Sequence, residues 1–259
     1  MDSLVITATP NICWLEPNVR YPRSTQAIAK EAMLCRKAGA AILHVHAERR
    51  WADAIKAVRA GNDILIQCGM SSLPIPERIE VFEHQADEIS VILGHHDEAF
   101  VGLDVYALHS RAELVEYCKL SRRYGVLLEL EVWNIGHLWN LRWLIKRRAI
   151  AQPYVTTLFF GWPGGQWSPP TIREYLYRRE HVPGGSFVTV SIMGPRQREI
   201  LGAAIVNGDH VRVGTEDHPY GRDGRLRSTH RLVEEVAELS RSLGRPVATP
   251  QEARELLAR

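Results

Sequence analysis

Ala38-Gly39-Ala40-Ala41-Ile42-Leu43-His44-Val45-His46 holds in nine residues the pieces of one β/α junction. A glycine stands where a helix must end in a left-handed cap. An unbroken apolar run follows, as a strand covered on both faces requires. Two histidines mark the strand's carboxyl end. Spaced i, i+2, their imidazoles point to one face and can reach one metal ion from a rigid element. On the pair alone two readings stand: half of a metal site, or two hydrogen-bonded histidines at a polar strand end.

The same junction repeats along the chain. Strand candidates are Leu4 to Ala8, Ala41 to Val45, Asp63 to Cys68, Glu88 to Leu93, Val126 to Val132, Val155 to Phe160, Phe187 to Ile192 and His210 to Val213. They alternate with helical patterns over Thr25 to Ala38, Trp51 to Ala60, Pro76 to Gln85, Arg111 to Tyr124, Leu138 to Ala149, Thr171 to Arg179, Arg196 to Asn207 and Ser228 to Leu243. Gly39, Gly61, Gly125, Gly208 and Gly244 are each placed to close a helix. Eight β/α units in a chain of 259 residues, with no Ser- or Pro-rich linker, predict a single α/β domain over 1–259, a closed (β/α)8 TIM barrel with a short C-terminal extension. An open doubly wound sheet is disfavoured because Thr9-Pro10-Asn11 follows the first strand in place of a Gly-rich phosphate turn.

Composition excludes several classes. A hydrophobic content of 45% is enough for a full core, and a net charge of +2 with interspersed signs offers no electrostatic case for nucleic acid or an anionic membrane. No stretch reads as a membrane span or a signal peptide, so the expected location is cytoplasmic. Cys13, Cys35, Cys68 and Cys118 lack C-x-x-C spacing, which argues against disulfides and cysteine zinc clusters; Cys35 and Cys118 read as buried thiols. Lys146-Arg147-Arg148 reads as a solvated helix end.

A barrel puts chemistry at the carboxyl ends of its strands. There the sequence has His44 and His46, Gln67, Glu129 and Glu131, and Arg212, Gly214 and Glu216. The first, second and last strands are neighbours in a closed barrel, so Glu216 can join the two histidines in a two-imidazole, one-carboxylate set with an open position. Zinc and non-haem iron both use those ligand types.

With these residues in view, the chain resembles the β-keto acid cleavage enzymes. The likeness runs nearly end to end through Thr7-Ala8, Tyr21-Pro22, Ile28-Ala29-Lys30-Glu31-Ala32, the stretch 38–46, Glu131-Val132-Trp133-Asn134-Ile135-Gly136-His137-Leu138, Gly161-Trp162-Pro163-Gly164-Gly165, Met193-Gly194, the stretch 211–217 and the stretch 244–250. The resemblance implies one Zn2+ per subunit on His44, His46 and Glu216, and a Claisen/retro-Claisen exchange. In it a β-keto acid and acetyl-CoA become acetoacetate and a new acyl-CoA. Asp217 is then the expected general base, with Arg212 beside it. Glu131, from its place at a strand end, reads as a catalytic carboxylate or as an acceptor behind a ligand histidine. Homo-oligomers are general in the family. A CoA-independent decarboxylase or aldolase with the same enolate stabilisation is the alternative, followed by a non-catalytic ligand-binding barrel.

Other assignments follow from position. Arg196 and Arg198 open the helix after the seventh strand, the phosphate position of many such barrels, and are candidates for CoA; solvent exposure is the competing reading. Cys68-Gly69-Met70-Ser71-Ser72 stands where the family commonly has a Ser/Thr-Gly-Gly turn, making Ser71 and Ser72 substrate-binding candidates. His95 at the mouth of the barrel and Gly164, whose turn can offer backbone N–H groups, are further substrate candidates. Asp217 as a turn cap and Arg212 in an ion pair with Glu129 or Glu131 are the structural rivals. The segment Thr249 to Arg259 can pack on a neighbouring subunit or cover the base of its own barrel.

Overall fold

In the computed structural model, which describes residues 2–14, 16, 18–47, 50–100, 103–161 and 168–258, each predicted apolar run forms a strand. The strands are β1 (Ile6–Ala8), β2 (Ile42–Val45), β3 (Leu65–Cys68), β4 (Glu88–Ile92), β7 (Leu127–Val132), β8 (Tyr154–Phe160), β9 (Ser186–Ile192) and β10 (His210–Val213). They close in the order β1-β10-β9-β8-β7-β4-β3-β2, all neighbouring pairs parallel. The helices are α1 (Thr25–Ala38), α2 (Trp51–Arg59), α3 (Ile75–Glu83), α4 (Arg111–Tyr124), α5 (His137–Lys146), α6 (Ile172–Glu180), α7 (Gln197–Val206), α8 (Thr229–Ser242) and α9 (Pro250–Leu257).

Alternation along the strands divides the molecule into two chemistries. Leu43, Val45, Ile66, Cys68, Ile89, Val91, Leu128, Leu130, Val190 and Val211 belong to the large apolar layer under the helices. Their alternates, among them His44, Gln67, Glu88, Ser90, Glu129, Glu131, Thr157, Thr189, Ser191 and Arg212, are buried and polar. Pairings such as His44 with Gln67, Ser90 with Glu129 and Glu131 with Thr157 bring those polar residues to matching levels. The helix layer therefore supplies the stabilising apolar burial, and the barrel interior carries hydrogen bonds and charge.

Gly39, Gly125, Gly208 and Gly244 have positive φ as expected, but Gly61 does not. α2 ends instead at Arg59, with Ala60 in right-handed conformation and its N–H on Lys56 O, so the chain leaves the helix without a left-handed residue. A second difference lies after β4. Two antiparallel strands, β5 (His95–Phe100) and β6 (Leu103–Leu108), form a hairpin over a stretch left as a loop by the sequence pattern.

The base of the barrel is plugged by the chain's own C-terminal segment. α9 begins with a capping box between Thr249 and Glu252, and its Ala253 and Leu257 pack with Val5, Ala41, Ile42, Leu65, Val155 and Phe187. Hydrogen bonds from Leu4 N–H to Pro246 O (2.7 Å) and from Ala248 N–H to Leu4 O (2.8 Å) tie this segment to the first strand. Among the described residues no helix is long and apolar enough to cross a membrane.

Candidate metal centre and substrate site

β2 and β10 lie on either side of β1, and that adjacency assembles the centre. His46 Nε2 lies 3.3 Å from Glu216 Oε1, His44 Nε2 lies 3.7 Å from Glu216 Oε2, and the two Nε2 atoms are 3.0 Å apart. All three side chains offer ligand atoms within 4.8 Å of one another.

Each histidine is oriented by what its other nitrogen meets. His44 Nδ1 lies 2.7 Å from the Gln67 side-chain oxygen, and Gln67 in turn donates to Glu88 Oε2 at 2.5 Å. His46 Nδ1 faces the Met70 sulfur at 2.9 Å, while Asn11 Oδ1 accepts from the His46 backbone N–H at 2.9 Å. In the tautomer that donates from Nδ1 to these partners, both Nε2 lone pairs face the shared space, the arrangement metal-ligating imidazoles adopt. Gln67 and Met70, rather than Glu131, thus support the histidines.

The electrostatics agree. Burial, followed by the Arg212 charge, pushes the His44 pKa well below its ordinary value, so the ring is neutral. Burial alone would raise the Glu216 carboxyl, but Arg212 and the two histidines outweigh it and hold it well below the usual carboxylate range. Glu216 Oε2 is buried without a hydrogen-bond partner among the described residues. Gly69 completes the opening: a Cβ there would stand 2.5 Å from His44 Nε2 and 2.7 Å from His46 Nε2. Two imidazoles on one strand face, an ionised carboxylate with an orphan oxygen and a cradle that a methyl group would fill suit a divalent cation.

Arg212 stands beside this centre, fully buried. Its Nη2 lies 2.7 Å from Glu216 Oε1 and 3.0 Å from Asp217 Oδ1, and its Nε donates to Asp217 at 3.1 Å. Burial works against the guanidinium charge, but Asp217 and Glu216 more than offset it. Asp217 is raised by burial to about 6 despite Arg212, while its backbone carbonyl accepts from Gly194 N–H at 2.9 Å. The Arg212 pair is therefore made within its own strand end and turn, not with Glu129 or Glu131. Those two acids are kept towards the neutral form, chiefly by burial, and Glu88 is raised to about 8 for the same reason.

Glu131 Oε2 accepts from Ser71 Oγ (2.9 Å) and Trp133 Nε1 (3.1 Å). Ser71 is buried and lies in the turn after β3, with its carbonyl 2.6 Å from His109 Nε2; Ser72 is only half-buried. His95 is exposed, and its carbonyl faces His137 Nε2 at 2.9 Å. Gly164 lies outside the described residues. Arg196 is exposed and paired with Glu199 at 2.9 Å. With Arg198, His218, Tyr220 and Arg222 it lines a cavity of about 280 Å³ between α7 and α8.

Two supporting residues escaped the sequence reading. Arg78 is fully buried and donates through Nη2 to Gly69 O (3.0 Å) and Ser90 O (2.6 Å), fixing the turn that carries Gly69 and Ser71. Arg178 repeats the device on the far side of the barrel, donating to the carbonyls of Val132 and Phe159. The signal for each was an arginine on the inward face of its helix, Arg78 with Val81 and Phe82, and Arg178 with Tyr175.

Comparison with known proteins places the chain in a family. The family model described as beta-keto acid cleavage enzyme matches residues 4–258. The 3-keto-5-aminohexanoate cleavage enzyme of Fusobacterium nucleatum is 32% identical, the match covering 100% of this chain and 98% of that protein. The 3-dehydrocarnitine:acetyl-CoA trimethylamine transferase of Rhizobium meliloti is 25% identical over 91% of this chain and 89% of its own. Among solved structures, apo ObcA superposes with a TM-score of 0.78 at 18% identity, covering 92% of this chain and 65% of that one, a likeness of fold. The chain therefore belongs to the β-keto acid cleavage enzyme family.

Proposed function

We propose that the protein is a cytoplasmic, zinc-dependent enzyme that exchanges acyl groups between a β-keto acid and acetyl-CoA, giving acetoacetate and a new acyl-CoA. The observation that carries this reading is the convergence of His44, His46 and Glu216 on a space kept open by Gly69, with the Arg212–Asp217 pair beside it. His44, His46 and Glu216 would hold the metal, and relatives named as acetyl-CoA transferases support the second substrate. When bound, the zinc supplies a Lewis acid that polarises the keto group and makes the protons between keto and carboxylate carbons acidic.

Asp217, with a carboxyl group at about 6, is ionised at neutral pH and basic enough to take one of those protons. Arg212 cannot lose its charge and is fixed by two carboxylates, so it presents a permanent cation to the negative charge that develops. Ser71, positioned by Glu131 and His109, meets the substrate carboxylate by turning its one hydroxyl proton from Glu131 to the substrate, with Ser72, His95 and Gly164 as the outer candidates. Arg196 and Arg198, on the crevice between α7 and α8, receive the anionic part of CoA.

The carbanion at C2 attacks the acetyl carbonyl carbon and CoA leaves as thiolate. That thiolate attacks the original keto carbon, the old C2–C3 bond breaks, and Asp217 returns its proton to acetoacetate. Acetyl-CoA carrying 13C at both acetyl carbons, offered with a panel of β-keto acids, should give acetoacetate labelled at C3 and C4 and an equal amount of new acyl-CoA. Cleavage or decarboxylation that proceeds equally without acetyl-CoA would contradict this reading and select a lyase.

A further inference from the structure

Beside the metal centre a cavity of about 260 Å³ runs from His46 and Asn11 to Tyr21, Arg23 and Arg50. Its two guanidiniums have no acidic partner among the described residues. Arg23 lies over the Tyr21 ring, its carbon 4.9 Å from the centroid, with Nη2 3.5 Å from the Tyr21 hydroxyl. The Arg50 guanidinium donates to the Arg23 carbonyl at 3.3 Å, which aligns the two cations on the same rim. No described residue lining the cavity is acidic. Glu16, the acid of the first loop, is engaged elsewhere: Tyr220 donates its hydroxyl to it at 2.8 Å.

A substrate whose reacting end lies at the metal centre has its tail to place, and this cavity leads away from a metal ligand to a rim of positive charge. Guanidiniums prefer carboxylates, which they can bind through paired hydrogen bonds. A tail amine would meet two like charges, a juxtaposition that disfavours it.

Resting on the acyl exchange proposed above, we infer that the acid substrate is a 3-oxo dicarboxylate whose distal carboxylate binds Arg23 and Arg50. This sets the chain apart from relatives named for an amino-bearing keto acid.

The test compares five-, six- and seven-carbon 3-oxo dicarboxylates, each with the monocarboxylate of the same length, on zinc-loaded protein with acetyl-CoA. The wild type should favour the best dicarboxylate by tenfold or more in kcat/KM, on the order expected for a hydrogen-bonded charge pair. Arg23→Gln and Arg50→Gln should each shrink that ratio through the KM of the dicarboxylate. Arg147→Gln, on an exposed helix end, should leave the ratio as it is. Calorimetry with the same acids gives a readout that does not need turnover, and the dicarboxylate should bind more weakly to both cavity variants.

Preference for monocarboxylates, or variants that raise the KM of acetyl-CoA alone, would overturn the inference while leaving the acyl exchange intact. Absence of turnover with every acid would instead sink the proposed reaction. Calorimetry would then decide the cavity: weaker dicarboxylate binding by the variants upholds the anion site, and unchanged binding overturns it.

Discussion

Replacing Gly69 by alanine places a methyl carbon 2.5 Å from His44 Nε2 and 2.7 Å from His46 Nε2. Ordinary contact begins near 3.4 Å, so about 0.9 Å of clearance is missing on the His44 side. The backbone has little room to yield. Gly69 N–H donates to Val45 O at 2.8 Å, and Arg78 holds its carbonyl at 3.0 Å. The φ angle at Gly69 is not positive, so the substitution acts through space and not through backbone strain. The rings must move, and metal sites tolerate only about 0.2 Å of ligand displacement. Loss of a support behind a ligand costs roughly 10- to 100-fold in metal affinity. Displacing the ligand atoms themselves should cost at least as much, so Gly69→Ala is expected to weaken zinc binding by about 100-fold or more. Competition against a chromophoric zinc chelator measures this directly, with circular dichroism and a urea titration to establish that the variant is folded. A folded Gly69→Ala protein whose zinc affinity stays within about threefold of wild type would refute the geometry of the centre.

Arg212→Met leaves the buried Glu216 and Asp217 carboxylates without their shared cation; the loss should reach about 3–5 kcal/mol in urea unfolding, and Arg212→Lys should recover only part of it because one ammonium cannot span both acids. His210 accepts from Val5 N–H at 3.0 Å and lies near the Arg245 guanidinium; burial, then Arg245, depress its pKa to about 3. Its neutral form favours folding fully above the unfolded value near 6.5, and the advantage is lost as pH falls towards 3. Between pH 6.5 and 4.5 this amounts to about 2.3 kcal/mol for one residue, so His210→Gln should flatten the stability profile in that window; an unchanged slope would count against it. Leu257 fills the plug under the barrel, and Leu257→Ala should lower stability by about 2–4 kcal/mol with the metal affinity unchanged.

The barrel was legible because buried parallel strands announce themselves as apolar runs and glycines punctuate the helices. His44 and His46 were legible because both lie on one strand, and Glu216 because closure makes the first, second and last strands neighbours. The hairpin at 95–108 was hidden by the polar stretch His95-His96-Asp97-Glu98, which breaks the apolar pattern a strand search relies on. Side-chain contacts between elements were illegible for a different reason. Nothing local tells that Gln67 meets His44, that Arg78 reaches Gly69 or that Glu131 holds Ser71, because each is set by strand register and helix rotation. The C-terminal segment left two homes open until Leu257 and Ala253 were seen under their own barrel.

Zinc content per chain, measured by elemental mass spectrometry on wild type, His46→Ala and Glu216→Ala purified side by side, tests the centre most directly. The account predicts close to one zinc per wild-type chain and little in either folded variant. Wild-type protein that takes up no divalent metal, or variants that keep the wild-type amount, would contradict it.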